Sequence, residues 1–312
     1  MVQTSSVEAL VTSGLTRRFG GRTAVNGLSL RVLEGDIYGF LGPNGAGKTT
    51  AIRCMLGLIG RDAGTVSIFG ESDPVKQRSF VGAMVETPAF HPWMTGRQNL
   101  ERAVAFAGRG TKDDIDRALQ LVGLWGRDAE PVRTYSLGMR QRLGIGRALV
   151  GQPKLLILDE PTNGLDPRGM REVRDLLGQL AKDTQLTILI SSHLLSEIEL
   201  LCNRVGIIEK GCMIAEGTVA ELVAGKGSVV EVDVSSPEPD RLRASLAGLA
   251  GVGVLPAKDE DEHGALRLAL DGLTVPELNR HLVQDGVPVS ALVPVQHSLE
   301  ELFLSLTNKE LT

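Results

Sequence analysis

The sequence predicts an α/β protein with a large domain built on a mainly parallel sheet and a smaller α/β domain after it. From Val7 to about Val223, short aliphatic runs alternate with amphipathic helical patterns. This alternation is typical of parallel strands that are joined by helices. After Gly225 the pattern changes to shorter alternating segments. We therefore expect a large domain at residues 1–225 and a small domain at residues 226–312.

Three buried strands organise the predicted sheet of the large domain. Apolar runs of strand length occur at Asp36–Leu41, Lys154–Asp159 and Leu186–Ser191. A helix at Thr49–Ile59 is predicted to follow the first of them. Ligand sites in open parallel sheets form outside the carboxyl ends of the strands. We therefore expect these three strand ends to meet at one site.

Two further sheets are predicted outside this core. Val7–Thr12 and Thr23–Val32 alternate between apolar and polar residues, which indicates an antiparallel β subdomain. In the small domain, strand and helix patterns follow one another in ferredoxin-like order. These segments lie at 228–234, 240–249, 265–270, 273–285, 287–295 and 298–306.

Composition and charge restrict the classes of function. The chain has 312 residues, a formal net charge of −5 and 4% aromatic residues. A negative net charge gives no general reason to bind nucleic acid, and few aromatic rings are present to stack on bases. The longest apolar runs have strand length, and the amino terminus lacks the basic and apolar pattern of a secretory signal. We expect a cytoplasmic protein that does not bind nucleic acid.

The segment after the first core strand has the pattern of a phosphate-binding loop. Its glycines allow consecutive backbone N–H groups to point at phosphate oxygens, and the following helix turns its positive end to the same anion. Lys48 is predicted to neutralise the β- and γ-phosphates, and the Thr49 hydroxyl to ligate Mg²⁺. The competing interpretation is a glycine-rich turn with a surface lysine. The predicted ATP contacts here are Gly42, Pro43, Asn44, Gly45, Ala46, Gly47, Lys48, Thr49 and Thr50.

Polar side chains at the other two strand ends complete the predicted site. Asp159 and Glu160 point in different directions if the strand stays extended, so we expect different roles for them. Asp159 suits the Mg²⁺ shell, and Glu160 suits a general base that polarises the attacking water. His193 would contact the γ-phosphate and hold the water and Glu160 in register. The competing interpretation is that Asp159 and Glu160 are solvated carboxylates at a strand end and that His193 is a structural histidine. The predicted catalytic residues are Lys48, Glu160 and His193.

The segment Tyr135–Arg142, which reads YSLGMRQR, resembles the signature of ABC-transporter ATPases, and the resemblance covers residues 7–223. In that family the segment opens a helix whose amino terminus meets the γ-phosphate held by a second subunit, in agreement with the attraction of helix amino termini for anions. The resemblance implies that Ser136 and Gly138 contact ATP across a dimer. It also implies a RecA-like core with a mixed sheet, an antiparallel β subdomain and a helical subdomain at about residues 88–150.

The resemblance also implies roles for three further residues. Phe19 matches an aromatic residue that stacks on adenine, although a lone Phe is more often part of a core. Asp166, in the sequence GLDP, matches a residue that contacts the opposite subunit. Glu86 stands where most relatives place a glutamine that senses Mg²⁺ and water, so it is expected to contact ATP and Mg²⁺. An ionised carboxylate there cannot donate a hydrogen bond and adds negative charge near phosphate.

Departures from the common family pattern resemble one branch of the family. Glu86, Leu137 and Met139 replace common residues, and Thr87–Phe90 and Ser298–Phe303 fit the same branch. These features resemble the ATPases of bacitracin, lantibiotic and other antibiotic exporters. The resemblance implies an ATP-hydrolysing subunit at the cytoplasmic face of the cell membrane, bound to separate membrane-spanning permease subunits. Its ATPase dimer would be a homodimer or a heterodimer.

Two other functions stay open at this level. One is a soluble regulatory or translation-associated ABC protein, although such relatives usually carry two cassettes and a basic linker. The other is a sensor with slow turnover, in which Glu86 weakens hydrolysis and nucleotide binding alone gives the signal. The ATPase activity of a Glu160→Gln variant separates a motor from both alternatives.

Overall fold

The computed structural model describes residues 7–224, 229–255, 266–295 and 298–307. These residues form two compact units, which divide between Ala220 and Glu221 and again between Leu302 and Phe303. The predicted domain boundary at residues 225–226 lies outside the described residues. Among the residues described, no helix combines the length and apolar character that crossing a bilayer requires.

The larger unit contains most of the helices and strands. Its described strands are β1 (Glu8–Phe19), β2 (Arg22–Leu33), β3 (Ile37–Leu41), β4 (Ala63–Ile68), β5 (Val81–Met84), β6 (Leu155–Asp159), β7 (Thr187–Ser192), β8 (Arg204–Glu209) and β9 (Cys212–Thr218). Its described helices are α1 (Lys48–Met55), α2 (Pro74–Gln77), α3 (Gly96–Ala107), α4 (Lys112–Leu121), α5 (Leu137–Leu149), α6 (Pro167–Thr184) and α7 (Leu195–Leu201), with a 3₁₀ turn at Val132–Thr134. Helix α8 (Val219–Ala224) crosses into the second unit.

The central sheet has six strands in the order β5-β6-β7-β3-β8-β9. Strands β5, β6, β7, β3 and β8 pair in parallel, and β9 pairs antiparallel to β8 at the edge. Every residue of β6 and β7 is buried, as expected for parallel strands that are covered on both faces. The predicted mixed α/β core is therefore confirmed, and its three core strands β6, β7 and β3 are neighbours.

A second sheet and a group of helices flank this core. Strands β2, β1 and β4 form an antiparallel sheet in that order, which confirms the predicted antiparallel β subdomain. Helices α3, α4 and α5 occupy the stretch between β5 and β6. Helix α6 begins with Asp166 as its N-cap and Pro167 in its first turn, and it buries Val173, Leu177 and Leu180 along one face.

The second unit has four described strands and two helices in ferredoxin-like order, and α11 (Leu299–Thr307) begins in this unit and continues into the larger one after Leu302. These elements are β10 (Val229–Ser235), α9 (Pro239–Leu246), β11 (Val252–Leu255), β12 (Leu266–Asp271), α10 (Val275–Gln284) and β13 (Ala291–Pro294). The strands are antiparallel in the order β11-β12-β10-β13, which confirms the predicted topology. Its core is aliphatic, with Leu268, Leu278 and Leu282 fully buried.

Some predicted element bounds are wrong. Helix α1 ends at Met55 rather than Ile59, because Gly57 adopts a left-handed φ of +64° of the kind that terminates helices. The extended segment predicted at 287–295 contains a strand only at Ala291–Pro294, where β13 pairs with β10. Strand β11 was not predicted, because it is four residues long and includes a glycine.

Helix α5 packs against β5 and the loop that follows it so closely that only glycine fits at two positions. A Cβ on Gly82 would lie 1.9 Å from the carbonyl oxygen of Ala148. A Cβ on Gly144 would lie 2.6 Å from Met84 Sδ and 2.8 Å from Pro88 Cγ. At Gly82 the backbones of strand and helix approach one another with no room for a methyl group, and at Gly144 the side chains of Met84 and Pro88 fill the space.

Replacing Gly82 with Ala is expected to lower the free energy of unfolding by about 1–3 kcal/mol, because the new methyl group meets a backbone oxygen rather than a movable side chain. Gly60→Ala is the matched control, since a Cβ there meets no atom within 4 Å. Its effect should stay below about 0.5 kcal/mol. Both tryptophans, Trp93 and Trp125, lie in the larger unit, so urea unfolding followed by tryptophan fluorescence reports on it. Equal midpoints for the two variants would contradict the packing argument.

Candidate functional site

The segment from Gly42 to Gly47 forms a tight loop between β3 and α1, and Lys48 and Thr49 are the first two residues of the helix. A Cβ on Gly42 would lie 2.3 Å from the carbonyl oxygen of Ile208. A Cβ on Gly47 would lie 2.3 Å from the carbonyl oxygen of Ala24, and Gly47 has a φ of +106°. Glycine is therefore required at both positions for the loop to close. The loop ends at the amino terminus of α1, where unpaired backbone N–H groups attract anions.

The ammonium group of Lys48 is buried inside this loop. Its Nζ donates hydrogen bonds to the carbonyl oxygens of Gly42, at 2.6 Å, and Pro43, at 3.2 Å. It also forms an ion pair with Glu160 Oε1 at 3.1 Å, and only 6% of the Lys48 side chain is exposed. Because an ammonium group has three donors, these contacts fix its position at the mouth of the loop.

The carboxylate of Glu160 joins Lys48 to His193. Glu160 Oε2 lies 2.8 Å from Nδ1 of His193, while Oε1 faces Lys48. Glu160 is not in an extended conformation, since its φ is +49°. Its backbone N–H donates to the Ser191 hydroxyl at 3.0 Å. A non-glycine residue held in the left-handed region by such contacts is a feature that recurs at active sites.

Asp159 lies beside Glu160 but has a different set of contacts. Its side chain is buried, and its Oδ1 accepts a hydrogen bond from the Ser191 hydroxyl at 2.5 Å. Ser191 is the residue paired with Asp159 across β6 and β7. Ser191 thus contacts both acidic residues, a role that sequence reasoning missed. The only signal for it was its position one residue before the end of a buried strand.

Sheet order explains why these residues meet. Strands β6, β7 and β3 are adjacent and parallel, so their carboxyl ends lie along one edge. Asp159 ends β6, His193 follows β7, and the loop that carries Lys48 follows β3. The expectation that the three strand ends meet at one site is therefore confirmed by their geometry.

A cavity of about 430 Å³ opens beside the loop. The predicted ATP-binding residues among its lining are Phe19, Pro43, Asn44, Gly45, Gly47, Lys48, Thr49 and Thr50, and the predicted general base Glu160 lines it as well. Arg22 and Ala24 also line it and were not predicted. Arg22 pairs with Phe19 at the turn between β1 and β2, so the hairpin register was the available signal.

The side chain of Phe19 is half exposed at the cavity, with 48% of its surface accessible. The guanidinium carbon of Arg17 lies 4.6 Å from the centre of its ring. An exposed aromatic ring beside a phosphate-binding loop has the location that a stacked nucleotide base requires.

Ser136, Gly138 and Asp166 lie together at the starts of two neighbouring helices. Ser136 is the N-cap of α5, where its hydroxyl accepts from the Met139 N–H at 3.2 Å. Asp166 is the N-cap of α6 and accepts from the Gly169 N–H at 2.9 Å. A Cβ on Gly138 would lie 3.9 Å from Leu165 Cδ2, which shows how close the two helix starts are. None of the three is among the described residues that line the cavity beside Lys48.

Glu86 follows β5 and has a surface location. About 60% of its side chain is exposed, and its carboxylate pairs with Arg53 in the last turn of α1. It has a left-handed φ of +61° and is not among the described residues that line the cavity beside Lys48. Met84 of β5 is paired with Leu158 of β6, and Glu86 and Glu160 each lie two residues after these paired residues.

The described residues could hold Mg²⁺ only with help from a nucleotide. No cluster of three or more His, Cys, Asp or Glu side chains that could hold a metal ion occurs among them. Thr49 and Asp159 offer one hydroxyl and one carboxylate. Mg²⁺ is commonly bound by one or two carboxylates together with substrate phosphates and water, so this donor set fits the ion.

A larger cavity, of about 730 Å³, lies at the amino ends of the core strands. Its lining includes Lys154, which precedes β6, and Leu186, which precedes β7. Its polar side chains bond to each other, since Gln152 contacts both Asp114 and Arg117. Lys48, Asp159 and Glu160 are not among the described residues that line it, so the carboxyl edge is the candidate site.

Comparison with known proteins agrees with the geometry. Residues 25–163 match the ABC transporter family. The chain is 40% identical to the bacitracin transport ATP-binding protein BcrA of Bacillus licheniformis, over 95% of this chain and 96% of that protein. It is 36% identical to the daunorubicin/doxorubicin resistance ATP-binding protein DrrA of Streptomyces peucetius, over 98% of this chain and 94% of that protein.

A solved structure has the same fold. The structure of cbiO1 from Clostridium perfringens, part of the ABC transporter complex cbiONQ, matches with a TM-score of 0.64 and 27% identity, and the match covers 70% of this chain and 92% of that one. Full-length similarity to transport ATP-binding proteins thus coincides with a phosphate-binding loop, a buried lysine and a strand-end glutamate at one sheet edge. The chain belongs to the ABC transporter family as an ATP-binding subunit.

Proposed function

We propose that this chain hydrolyses MgATP at the cytoplasmic face of a cell membrane and powers export of an antibiotic or another hydrophobic drug through separate permease subunits. The contact of Glu160 with both Lys48 and His193 carries the catalytic part of the proposal. The substrate class rests on the names of relatives such as the bacitracin transport and daunorubicin/doxorubicin resistance proteins.

Lys48 binds the β- and γ-phosphates of ATP. Two of its three donors are engaged by the carbonyl oxygens of Gly42 and Pro43, so the third is the one that meets an anion. A γ-phosphate oxygen that takes this donor replaces Oε1 of Glu160. Substrate binding therefore releases one oxygen of Glu160 toward the attacking water.

Glu160 acts as the general base, and His193 orients it. With Oε2 held 2.8 Å from the imidazole, the carboxylate keeps a fixed direction while Oε1 accepts the proton of the water. His193 is about one-third exposed, and its proposed second role is a contact with the γ-phosphate. Phe19 stacks on the adenine, and the residues of Pro43–Thr50 that line the cavity surround the phosphates.

Thr49 and Asp159 are the residues that would hold Mg²⁺, and Glu86 is a further candidate. When bound, Mg²⁺ neutralises charge on the β- and γ-phosphates during transfer to water. The Ser191 hydroxyl holds Asp159 in place from β7. Glu86 must leave its ion pair with Arg53 before it contacts the ion, which sets it apart from Asp159.

A second ATPase subunit completes the site. Ser136 and Gly138 lie at the amino terminus of α5, where helix charge and backbone N–H groups attract a phosphate. Because they and Asp166 do not line the cavity of their own chain, their proposed ATP contact needs a partner subunit, either a second copy or a similar chain. Permease subunits would dock near Glu86–Leu100, where Trp93 is 69% exposed.

Replacing Glu160 with Gln is expected to lower the rate of ATP hydrolysis by about 10²- to 10⁴-fold, because the amide cannot accept the proton of the water. ATP binding should be kept, since Lys48 and the loop remain. Glu172→Gln is the matched control, since that carboxylate pairs with Arg168 on the exposed surface of α6. Phosphate release by the purified subunit measures both. Hydrolysis at the wild-type rate by the Glu160 variant would refute the catalytic assignment.

A Ser136→Asp substitution is expected to prevent the ATP-dependent dimer of the Glu160→Gln protein. Aspartate still caps α5, so the helix is kept, but its charge repels the γ-phosphate of the partner subunit. Thr95→Asp is the matched control, because Thr95 caps α3 in the same way. Light scattering with and without MgATP gives the mass of each species. An unchanged dimer with Ser136→Asp would contradict the shared site, and a dimer lost in the control would show a general effect of charge.

A further inference from the structure

Two different groups approach the ring of Phe19. The ring lines the nucleotide cavity, and 48% of the side chain is exposed. The guanidinium of Arg17 lies over the ring at 4.6 Å from its centre, but Arg17 is not among the described residues that line the cavity. An aromatic ring has two faces. We call the face under Arg17 the rear face; because Arg17 is not among the described residues that line the cavity, the opposite face is the one available to a ligand.

Asp62 anchors both Arg17 and the chain around it. Its Oδ2 lies 3.6 Å from Nη1 of Arg17 and accepts the backbone N–H of Arg18 at 2.6 Å. The backbone N–H of Asp62 donates to the carbonyl oxygen of Thr16 at 2.8 Å. The segment before β4 is thus bonded to the last residues of β1, immediately before Phe19.

The guanidinium of Arg17 pairs with Asp62 and lies over the ring of Phe19. About 25% of the side chain is exposed, and its Nε is buried without a hydrogen-bond partner in the part of the chain that the structure describes. A buried donor that gives up a hydrogen bond requires compensation from other contacts. The ion pair with Asp62 and the contact with the Phe19 ring supply it, since a cation is attracted to the face of an aromatic ring.

We infer that Arg17 is a positioning residue for base recognition: with Asp62, it packs on the rear face of Phe19 and holds the ring where it stacks on the adenine. The inference rests on the proposed function, in which Phe19 binds the base. An exposed ring at a hairpin end loses side-chain freedom when a ligand orders it. Packing by Arg17 orders the ring in advance and so strengthens base binding, without contact between Arg17 and the nucleotide.

Phosphate attraction and base positioning make different predictions for Arg17. A cation that attracts phosphate strengthens binding of every polyphosphate, with or without a base. A residue that acts through Phe19 strengthens only ligands that carry a base. The two probes are therefore ADP, which has a base, and inorganic tripolyphosphate, which has none. Both are used without Mg²⁺, so neither hydrolysis nor the metal contributes.

Calorimetric titration of the purified full-length chain measures both dissociation constants. Arg17→Gln is expected to weaken ADP binding by about two- to five-fold, the range for an exposed cation–ring contact, and to leave tripolyphosphate binding unchanged. Arg17→Lys keeps the cation and should lie between the two proteins for ADP. Arg18→Gln is the matched control, because its side chain is exposed and only its backbone bonds to Asp62. It should match wild type with both ligands.

A Phe19→Ala background separates failure of this inference from failure of the proposed function. If Phe19→Ala alone leaves ADP binding unchanged, base stacking by Phe19 is wrong. If Phe19→Ala weakens ADP binding but Arg17→Gln does not, stacking stands and the positioning role is refuted. Equal weakening of ADP and tripolyphosphate by Arg17→Gln also refutes it. The expected result is that Arg17→Gln has no further effect once Phe19 is replaced.

Discussion

The buried contact between Lys48 and Glu160 is the interaction around which the site is built. A nearly buried ammonium requires a partner, because removal of one member of such a pair costs about 3–5 kcal/mol. Here the partner follows a different strand, so the loop after β3 and the end of β6 must be held in register. Strand β7 lies between them and provides that register through Ser191, which bonds to both Asp159 and Glu160. Burial of β6 and β7 on both faces is thus a condition for the chemistry at their ends.

The parts of the site that could be predicted from sequence are those fixed by backbone requirements. Gly42 and Gly47 have no room for a side chain, so their spacing identifies the loop before its surroundings are known. Asp159 and His193 follow runs of buried residues, and the carboxyl ends of neighbouring parallel strands meet. The contacts between these side chains depend on the order in which the strands pair. That order cannot be read from three short apolar runs.

The parts that could not be predicted depend on side chains from distant segments. The ion pair of Glu86 with Arg53 and the contact of Arg17 with Asp62 each join residues more than thirty positions apart. The predicted end of α1 is wrong for a local reason, because the left-handed turn at Gly57 ends the helix although the apolar pattern continues. In the second unit the strand pattern indicated the fold, while four-residue strands such as β11 gave too weak a signal.

The fit of α5 against β5 has a mechanical consequence. Gly144 leaves no gap between the helix and Met84 or Pro88, and Arg147 in the same helix donates to the carbonyl oxygen of Ala89. Closely packed protein interiors are hardly compressible. A push on this loop is therefore transmitted along α5 instead of being absorbed by loose packing. Ser136 caps the amino-terminal end of α5, so a displacement at the carboxyl-terminal end of the helix also moves Ser136.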